Sequence, residues 1–295
     1  MKLTQLLLCT DLDRTLIPNG PHPESSDART LFAQLVARPE IRLAYVSGRD
    51  IGRINQAITE FRLPRPDNVI ADVGSSIYAT DSQGGWQEQV DWTNQISGDW
   101  RQKTANQLAS LLEDIPGLHR QEADRQGRCK LSYYAAVDAD TSALSNAIQQ
   151  RLESQRIAAR LIWSIDTPAG RGLLDILPRS ASKYHAIRWL MARTGFSEEN
   201  TVFCGDSGND LEVLVSAVPA VLVANADPDI QEIATAAAIE AGLPDRLYLA
   251  RGGWQQMNGN YAAGIIEGLT HYQPRVTDWI NELARHADDR KNHES

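Results

Sequence analysis

The stretch from residue 6 to residue 16, LLLCTDLDRTL, brings two aspartates to the end of a short apolar run. Such a run predicts a buried strand of a parallel sheet. Because side chains alternate along an extended chain, Asp11 and Asp13 are expected to leave the strand on the same side. Two carboxylates that close repel each other unless a cation or a shared proton lies between them.

Paired carboxylates at a strand end suit a specific kind of chemistry. Oxygen ligands alone favour Mg²⁺ over a soft metal, and a carboxylate beside that ion can act as a nucleophile. Taken alone, the pattern is equally consistent with an ordinary acidic turn. The rest of the chain decides between these interpretations.

The composition limits the function classes. The chain has 295 residues, enough for one large domain or two smaller ones, and 42% of them are hydrophobic. Its 29 basic and 38 acidic side chains give a net charge of −9, so no nucleic-acid partner is expected. The cysteines Cys9, Cys129 and Cys204 show no metal-ligand spacing, and we expect Cys9 and Cys204 to fill core space.

Targeting signals are not evident in the sequence. Residues 1–8 are too short for the apolar region of a signal peptide, and no later run approaches about 18 apolar residues. Unpaired cysteines fit a reducing compartment. We therefore expect a cytoplasmic protein with no membrane partner.

The first eighty residues alternate between strands and helices. A helix is predicted over 28–36 and a strand over 41–46, which runs into Ser47-Gly48-Arg49 and a helix over 50–61. A glycine between a strand and a helix start exposes backbone N–H groups that can bind phosphate. A third strand is predicted over 69–73.

From about residue 81 the pattern changes to an α+β insert. Trp86, Trp92 and Trp100, together with nearby glycines, are interpreted as irregular surface. Helices are predicted over 100–114 and 141–155, and strands over 130–135, 159–164 and 173–177. We interpret residues 81–175 as a second domain.

The alternation then resumes. A helix is predicted from Lys183 to about 194, with Ser180 or Ser182 as its cap, and a strand over 201–204 leads into GDSGND at 205–210. Another strand over 220–224 and a helix from Asp227-Pro228 follow. A polar loop over 257–261 precedes a helix, and the tail beyond Pro274 is predicted to be a helix forming a solvated appendage.

Four groups in this alternating pattern lie at strand ends or helix starts, where ligands of open parallel sheets gather. They are Asp11 with Asp13, Ser47 with Gly48, Lys183, and Asp206 with Asp210. A lysine in the first helical turn opposes the helix dipole, which a nearby anion would explain.

Together and in this order, the groups resemble the motifs DxDxT, S/T, K and GDxxxD of the haloacid dehalogenase (HAD) superfamily of Mg²⁺-dependent phosphatases. The resemblance implies an α/β fold, with a Rossmann-like parallel-sheet core over 1–80 and 176–272. It further implies an inserted α+β cap over 81–175 that sets substrate specificity, and a C-terminal helical tail over 273–295.

Further segments are similar to sucrose-phosphate phosphatases. They are Ser47-Gly48-Arg49, Val73 to Tyr78, Lys130 to Tyr133, Asp175 to Pro178 and Gly205 to Asp210. The chain departs from these relatives at Arg14, where a small or neutral residue is common, and in the Asn260-Tyr261 loop, where some carry a histidine. These departures leave the identity of the sugar open.

The resemblance and the residue chemistry together suggest roles for the side chains. Asp11 would be the nucleophile, Asp13 the acid and base, and Lys183 a catalytic cation for the phosphoryl group. The expected Mg²⁺ ligands are Asp11, Asp13 through its carbonyl, Asp206 and Asp210. The expected phosphate- or substrate-binding residues are Ser47, Gly48, Arg49, Asn209, Gln126, Lys130, Ser132 and Asp175.

The resemblance implies hydrolysis of sucrose 6-phosphate through an aspartyl-phosphate intermediate. The alternatives are a phosphatase for mannosylfructose, glucosylglycerate or mannosylglycerate phosphate, a phosphomutase, or a non-catalytic sugar-phosphate-binding partner of a glycosyltransferase. The expected partners are the sugar phosphate and a glycosyltransferase of the sucrose-phosphate synthase type.

Overall fold

A computed structural model of the chain describes residues 5–166 and 169–293. The strands are β1 (Leu6–Thr10), β2 (Ile41–Val46), β3 (Asn68–Ala71), β4 (Ser76–Thr80), β5 (Trp86–Glu88), β6 (His119–Arg120), β7 (Leu131–Ala135), β8 (Ala159–Asp166), β9 (Arg171–Pro178), β10 (Thr201–Gly205), β11 (Ala220–Leu222) and β12 (Leu247–Leu249). The helices are α1 (Ala28–Val36), α2 (Ile51–Glu60), α3 (Val90–Ile96), α4 (Ala105–Leu112), α5 (Thr141–Ser154), α6 (Lys183–Thr194), α7 (Leu211–Leu214), α8 (Pro228–Glu240), α9 (Ala262–Tyr272) and α10 (Arg275–His293).

The chain divides into two compact units. Unit 1 comprises Met1–Ser47, Ile51–Val69 and Ile187–Ser295, and unit 2 comprises Gly48–Asp50 and Ile70–Ala186. Unit 2 thus lies mostly within one continuous part of the sequence, and the segments of unit 1 lie on either side of it.

Unit 1 is built on a parallel sheet in which five strands lie in the order β12-β11-β10-β1-β2. Every residue of β1 is buried, as expected for a central strand covered on both faces. Cys9 and Cys204 are completely buried and free, which confirms that they fill core space. The predicted α/β fold with a parallel-sheet core is confirmed.

The C-terminal helix α10 corrects one expectation. Val276, Trp279 and Ile280 are buried, and the Arg38 guanidinium lies 5.1 Å from the Trp279 ring and 2.9 Å from Glu282. The first part of the tail therefore packs against unit 1, and the interpretation as a solvated appendage was wrong for these residues. The apolar positions recur at i, i+3 and i+4, which places them on one helix face.

Unit 2 contains a four-stranded antiparallel sheet in the order β6-β7-β9-β8. Side chains of α4 and α5 pack on it. The core of this unit includes Trp100, Leu108, Leu112, Leu131, Ile148, Leu152, Leu174 and Ile176, all of which are buried.

Two of the tryptophans interpreted as irregular surface are instead core residues. Trp92 is 1% exposed and Trp100 is 0% exposed. The Trp92 indole N–H donates to the Gly74 carbonyl at 2.9 Å, which allows its polar atom to be buried. The glycine and polar residues near these tryptophans suggested an exposed segment, and that interpretation was wrong for Trp92 and Trp100.

The predicted helix over 100–114 begins later than expected, at Ala105. Thr104 and Gln107 form a capping box, in which each side chain satisfies a backbone N–H of the other residue. Arg101 and Gln102 have positive φ and interrupt any earlier helical turn. The prediction also missed α3 and the antiparallel pair β4–β5.

Other helix starts were predicted correctly. The Ser182 hydroxyl accepts the His185 N–H at 3.1 Å and caps α6, and the Asp227 carboxylate accepts the Asp229 N–H at the start of α8. Of the helices over 5–166 and 169–293, none combines the length and apolar character that crossing a membrane requires.

Candidate active site

Three buried aspartates converge in unit 1. Asp11 follows β1 and Asp206 follows β10, and these strands are parallel neighbours whose carboxyl ends meet at one edge of the sheet. Carboxylate oxygens of Asp11, Asp206 and Asp210 all lie within 4.8 Å of one another. The structure therefore unites three of the residues that the sequence suggested as metal ligands.

The loop after β10 fixes the position of Asp210. Its carboxylate oxygen Oδ2 accepts the backbone N–H groups of Asp206 and Ser207, both at 3.1 Å. A Cβ atom on Gly205 would lie 2.6 Å from the Asp210 Cγ. Glycine at this position is therefore required by the close approach of the carboxylate to the backbone.

Asp206 is held by two side chains from the loop after β1. The Thr15 hydroxyl donates to Asp206 Oδ1 at 3.1 Å, and the Arg14 Nε lies 3.3 Å from Asp206 Oδ2. Thr15 is completely buried. The threonine of the DxDxT pattern thus orients one carboxylate of the cluster.

Asp11 and Asp13 have different surroundings. Asp11 is 5% exposed and accepts the Leu12 N–H at 2.8 Å. Asp13 is half-buried, and its carboxylate accepts the Asn19 side-chain amide at 2.7 Å. The strand ends at Thr10, so the alternation of an extended strand does not govern the two aspartates.

The predicted phosphate-binding turn begins at the end of β2. Ser47 is 1% exposed and follows a strand that is the parallel neighbour of β1. Gly48 and Arg49 are the next residues of the chain and belong to unit 2. Asn209, in the loop after β10, accepts the Ser207 hydroxyl at 3.1 Å.

Lys183 is the first residue of α6 and is 2% exposed. Lys183 is therefore a buried lysine and not a solvent-exposed residue of the first helical turn. Gly74, with φ of 98°, packs against the backbone there, and a Cβ on it would lie 2.9 Å from the Lys183 N atom. The close packing of this turn holds the start of α6 in unit 2.

The suggested sugar-binding residues of unit 2 form a connected polar network. Lys130 Nζ lies 2.8 Å from Asp72 Oδ1 and 3.9 Å from Asp175 Oδ2. The Ser132 hydroxyl donates to Asp175 Oδ1 at 2.5 Å. Lys130, Ser132 and Asp175 thus lie together, as the pairing of Ser132 with Asp175 across β7 and β9 requires.

The charges of this network influence one another. Burial raises the pKa of the Asp72 carboxyl, and the ion pair with Lys130 opposes that rise without cancelling it. Burial alone would lower the pKa of Lys130, but the attraction of Asp72 and Asp175 outweighs it, and the pKa is raised. The ammonium group is therefore charged over the physiological pH range.

Gln126 supports the backbone beside this network. Its amide nitrogen donates to the carbonyls of Gln121 and Ser132, at 2.9 and 3.0 Å, and its amide oxygen accepts the Ser132 N–H at 2.9 Å. These bonds anchor the loop before β7 to the strand. In this structure the amide is engaged by the backbone.

Two residues that contact the candidate site residues were not identified from the sequence. Asp72 lies in a turn after β3 and is paired with a residue 58 positions away, a contact that no local pattern indicates. Asn225 donates to the Arg14 carbonyl and accepts the Tyr261 N–H. The turn signal at Asn225-Ala226-Asp227-Pro228 suggested a helix start there, but not this contact.

The acidic cluster can hold a hard divalent cation. Its donors are carboxylate oxygens alone, and Asp11, Asp206 and Asp210 are all buried. Oxygen ligands are those that Mg²⁺ prefers, and a cation would relieve the repulsion among three close carboxylates. The donor set therefore fits a magnesium ion.

Comparisons with known proteins identify the family. Residues 4–273 match the family model described as sucrose-6F-phosphate phosphohydrolase. An HAD-like hydrolase of Nitrosococcus oceani is 49% identical over 94% of this chain and 74% of its own length. A mannosylfructose-phosphate phosphatase of Agrobacterium fabrum is 28% identical over 90% of this chain and 96% of its own length.

The fold comparison agrees. The sucrose-phosphatase of Synechocystis sp. PCC6803, solved with sucrose and phosphate, has 24% sequence identity and a TM-score of 0.67, covering 91% of this chain and 98% of that one. That similarity concerns the fold. The match over residues 4–273 shows that the chain belongs to the family of sucrose-6F-phosphate phosphohydrolases, phosphoric monoester hydrolases of the haloacid dehalogenase superfamily.

Proposed function

We propose that this enzyme hydrolyses sucrose 6-phosphate to sucrose and inorganic phosphate through an aspartyl-phosphate on Asp11. The observation that carries the proposal is the position of the Asp11 carboxylate, buried at the end of β1 within the cluster it forms with Asp206 and Asp210. The family match over residues 4–273 supports the same chemistry.

Asp11, Asp206 and Asp210 would hold Mg²⁺, with the Asp13 carbonyl as a further oxygen ligand. When bound, the ion offsets the negative charge of the phosphoryl group and of the carboxylates around it. The close placement of the three carboxylate oxygens, within 4.8 Å of one another, supports this assignment.

The first step transfers the phosphoryl group to the protein. An Asp11 carboxylate oxygen attacks the phosphorus, the ester P–O bond breaks, and the Asp13 carboxyl gives its proton to the departing sugar oxygen. In the second step Asp13 takes a proton from water. That water attacks the phosphorus, which releases phosphate and restores the Asp11 carboxylate.

The phosphoryl oxygens would be bound by groups that do not react. Lys183 supplies a buried positive charge, and Ser47 and Gly48 supply donors at the turn after β2. Arg49 and Asn209 complete the proposed phosphate-binding set. Donors that are already positioned favour the transition state because little reorganisation is needed when charge develops.

The sugar would be bound and recognised by polar side chains of unit 2. Lys130, Ser132 and Asp175 form a network that can exchange its internal hydrogen bonds for those of sugar hydroxyls. A site built to hydrogen-bond hydroxyls rejects analogues that lack them. Gln126, whose amide binds the backbone of Ser132, would keep that strand in place.

Mannosylfructose phosphate is the second candidate substrate. The relative from Agrobacterium fabrum named for it matches over 96% of its own length, whereas a sucrose-phosphatase of Nicotiana tabacum, also 28% identical, is covered over 59%. The phosphatase names of both relatives favour hydrolysis over a phosphomutase or a non-catalytic binding domain.

A glycosyltransferase that makes the sugar phosphate is the proposed protein partner. A glucosylglycerol-phosphate synthase of Pseudomonas anguilliseptica is 28% identical over 226 residues, which make up 27% of that protein. A region similar to this chain therefore occurs within a larger synthase. Co-purification with a sucrose-phosphate synthase would support the partnership, and separate elution at micromolar concentrations would contradict it.

Phosphate release from a panel of sugar phosphates tests the function. The panel comprises sucrose 6-phosphate, mannosylfructose phosphate, glucosylglycerate phosphate, mannosylglycerate phosphate and glucose 6-phosphate, each assayed with Mg²⁺. We expect the highest kcat/KM with sucrose 6-phosphate. A higher value with another member of the panel would assign the enzyme to that substrate.

The matched variant for this assay is Asp11→Asn, which removes the nucleophile and keeps the shape of the side chain. We expect turnover of every substrate to fall by at least about a thousand-fold, because no aspartyl-phosphate can form. Turnover within ten-fold of the wild type would contradict the covalent mechanism. The melting temperature of the variant shows whether the fold is retained.

A further inference from the structure

Arg14 has an unusual backbone for its place between Asp13 and Thr15. Its φ is 58°, in the left-handed region that residues other than glycine and asparagine rarely adopt. Both polar backbone groups are bound: its N–H donates to the Asn19 side chain at 2.8 Å, and its carbonyl accepts the Asn225 side-chain amide at 2.6 Å. The backbone of Arg14 is thus fixed from two sides.

This backbone directs the side chain to the acidic cluster. The Arg14 Nε lies 3.3 Å from Asp206 Oδ2, and the side chain of Asp206 is 2% exposed whereas that of Arg14 is 45% exposed. The guanidinium therefore reaches from the surface to a buried carboxylate.

We propose that Arg14 is a tethered cation that competes with the divalent metal ion for Asp206. This inference rests on the proposed function, in which Asp206 is a ligand of that ion. A divalent ion bound to the Asp206 carboxylate would repel a guanidinium 3.3 Å from the same group. Metal binding must therefore weaken or displace the ion pair, and the apparent metal affinity is lowered.

The properties of arginine suit this role. The guanidinium is charged at every physiological pH, so the competition does not depend on proton uptake. Its side chain is nearly half exposed, which leaves room for it to move into solvent when the ion arrives. Without the ion, the guanidinium offsets part of the repulsion among Asp11, Asp206 and Asp210.

Calorimetric titration of Mg²⁺ into chelator-treated protein, without substrate, tests the proposal. Arg14→Gly suits the positive φ, and we expect its dissociation constant for Mg²⁺ to be about five-fold lower than that of the wild type, because one partly screened charge is removed. Arg14→Lys keeps the charge and should stay within about two-fold of the wild type. Arg29→Ala, which breaks an ion pair with Glu24, is the control for loss of an arginine elsewhere.

Thermal unfolding supplies a second measurement. In chelator, Arg14→Gly should melt at a lower temperature than the wild type, and saturating Mg²⁺ should raise its melting temperature by more than it raises that of the wild type. An equal or weaker affinity for Mg²⁺ in Arg14→Gly, with a similar melting response, would overturn the proposal. Failure of the wild type to bind Mg²⁺ would overturn it together with the proposed metal site.

If Arg14→Gly does not fold, Arg14→Asn takes its place, since asparagine also accepts this backbone conformation. The same tighter binding is expected. Unchanged binding in Arg14→Asn would count equally against the proposal. The titration and the thermal unfolding are both measured without substrate. A failure of the Arg14 proposal can therefore be distinguished from a failure of the proposed hydrolytic mechanism.

Discussion

The Lys130 ammonium lies 2.8 Å from the Asp72 carboxylate, and each of the two side chains is 12% exposed. Within unit 2, the pair joins the residue directly before β7 to the turn after β3. Both residues carry raised pKa values, Asp72 because burial dominates and Lys130 because nearby carboxylates outweigh its own burial. A buried pair of this kind is sensitive to the loss of either partner.

The first prediction concerns the proposed role of Lys130 in sugar binding. In Lys130→Met, we expect KM for sucrose 6-phosphate to rise about ten-fold or more, while hydrolysis of p-nitrophenyl phosphate changes by less than about two-fold, since that substrate makes no sugar contacts. Steady-state kinetics with both substrates measures the difference. Equal losses on the two substrates would mean that Lys130 serves the fold or the chemistry.

A matched comparison separates sugar binding from charge loss. Arg120→Ala removes a positive charge from the neighbouring strand β6, at an exposed position, and should leave both KM values unchanged within about two-fold. A large rise of KM for sucrose 6-phosphate in this variant would assign the effect to the general charge of unit 2 rather than to Lys130.

The second prediction concerns pH and stability. The folded-state pKa of Lys130 is raised above its ordinary value of 10.5, so its charge contributes fully to stability below pH 10.5 and the contribution is lost as pH rises through the folded pKa. The difference in unfolding free energy between wild type and Lys130→Met should therefore be constant from pH 7 to 9 and shrink above pH 10.5. Urea unfolding across this range measures it.

The double variant Asp72→Asn/Lys130→Met is the control for this prediction. Removing Lys130 alone leaves a buried carboxylate without its countercharge and should cost about 3 kcal/mol. The double variant removes both charges and should recover part of that loss. A double variant less stable than the single variant would show that the cost arises from packing and not from the ion pair.

The parallel-sheet core of this protein could be predicted because the sequence signals for its strands lie within short segments of the chain. The runs that form β1, β2 and β10 are short, buried except for Arg42 of β2, and followed at once by polar motifs. The carboxyl ends of neighbouring parallel strands must meet. The convergence of Asp11, Asp206 and Asp210 follows from this rule. The starts of α6 and α8 likewise depend on neighbouring residues.

The incorrect or missing sequence predictions concern residues whose contacts are made with distant parts of the chain. Trp100 lies in a polar segment, yet it is buried by side chains of α4, α5 and the sheet of unit 2. The segment that forms α10 has few apolar residues among many charged ones. Three of these, Val276, Trp279 and Ile280, nevertheless lie on one face of the helix and are buried. Asp72 has no local signal because its partner, Lys130, lies 58 positions away in the chain.

The third prediction concerns the thiols. Burial raises the pKa values of Cys9 and Cys204 well above the ordinary range and that of Cys129 to about 11, where the opposing effect of Arg128 is smaller. At pH 8 the thiolate fraction of Cys129 is therefore lower by on the order of a hundred-fold than that of a free cysteine. The native protein should react with a disulfide reagent far more slowly than the unfolded protein, in which all three thiols are accessible. A thiol that reacts at the unfolded rate in native protein would contradict the burial of that cysteine.

The last prediction concerns the close approach of Gly205 to the acidic cluster. A Cβ at this position would lie 2.6 Å from the Asp210 Cγ, and the carboxylate cannot retreat without losing the N–H groups of Asp206 and Ser207. Gly205→Ala should therefore cost about 1–3 kcal/mol of unfolding free energy. It should also raise the dissociation constant for Mg²⁺, because Asp210 is displaced from the cluster.

Gly208→Ala is the matched control in the same loop. A Cβ there would lie 3.6 Å from the Ile230 Cδ1, an ordinary van der Waals contact, so the added methyl group itself should cause little change in stability or in Mg²⁺ affinity. Urea unfolding and calorimetric titration on both variants make the comparison. Similar effects in the two variants would show that backbone freedom throughout the loop matters, and not the contact between Gly205 and Asp210. A loss confined to Gly205→Ala would link the glycine of the GDxxxD pattern directly to the position of its last carboxylate.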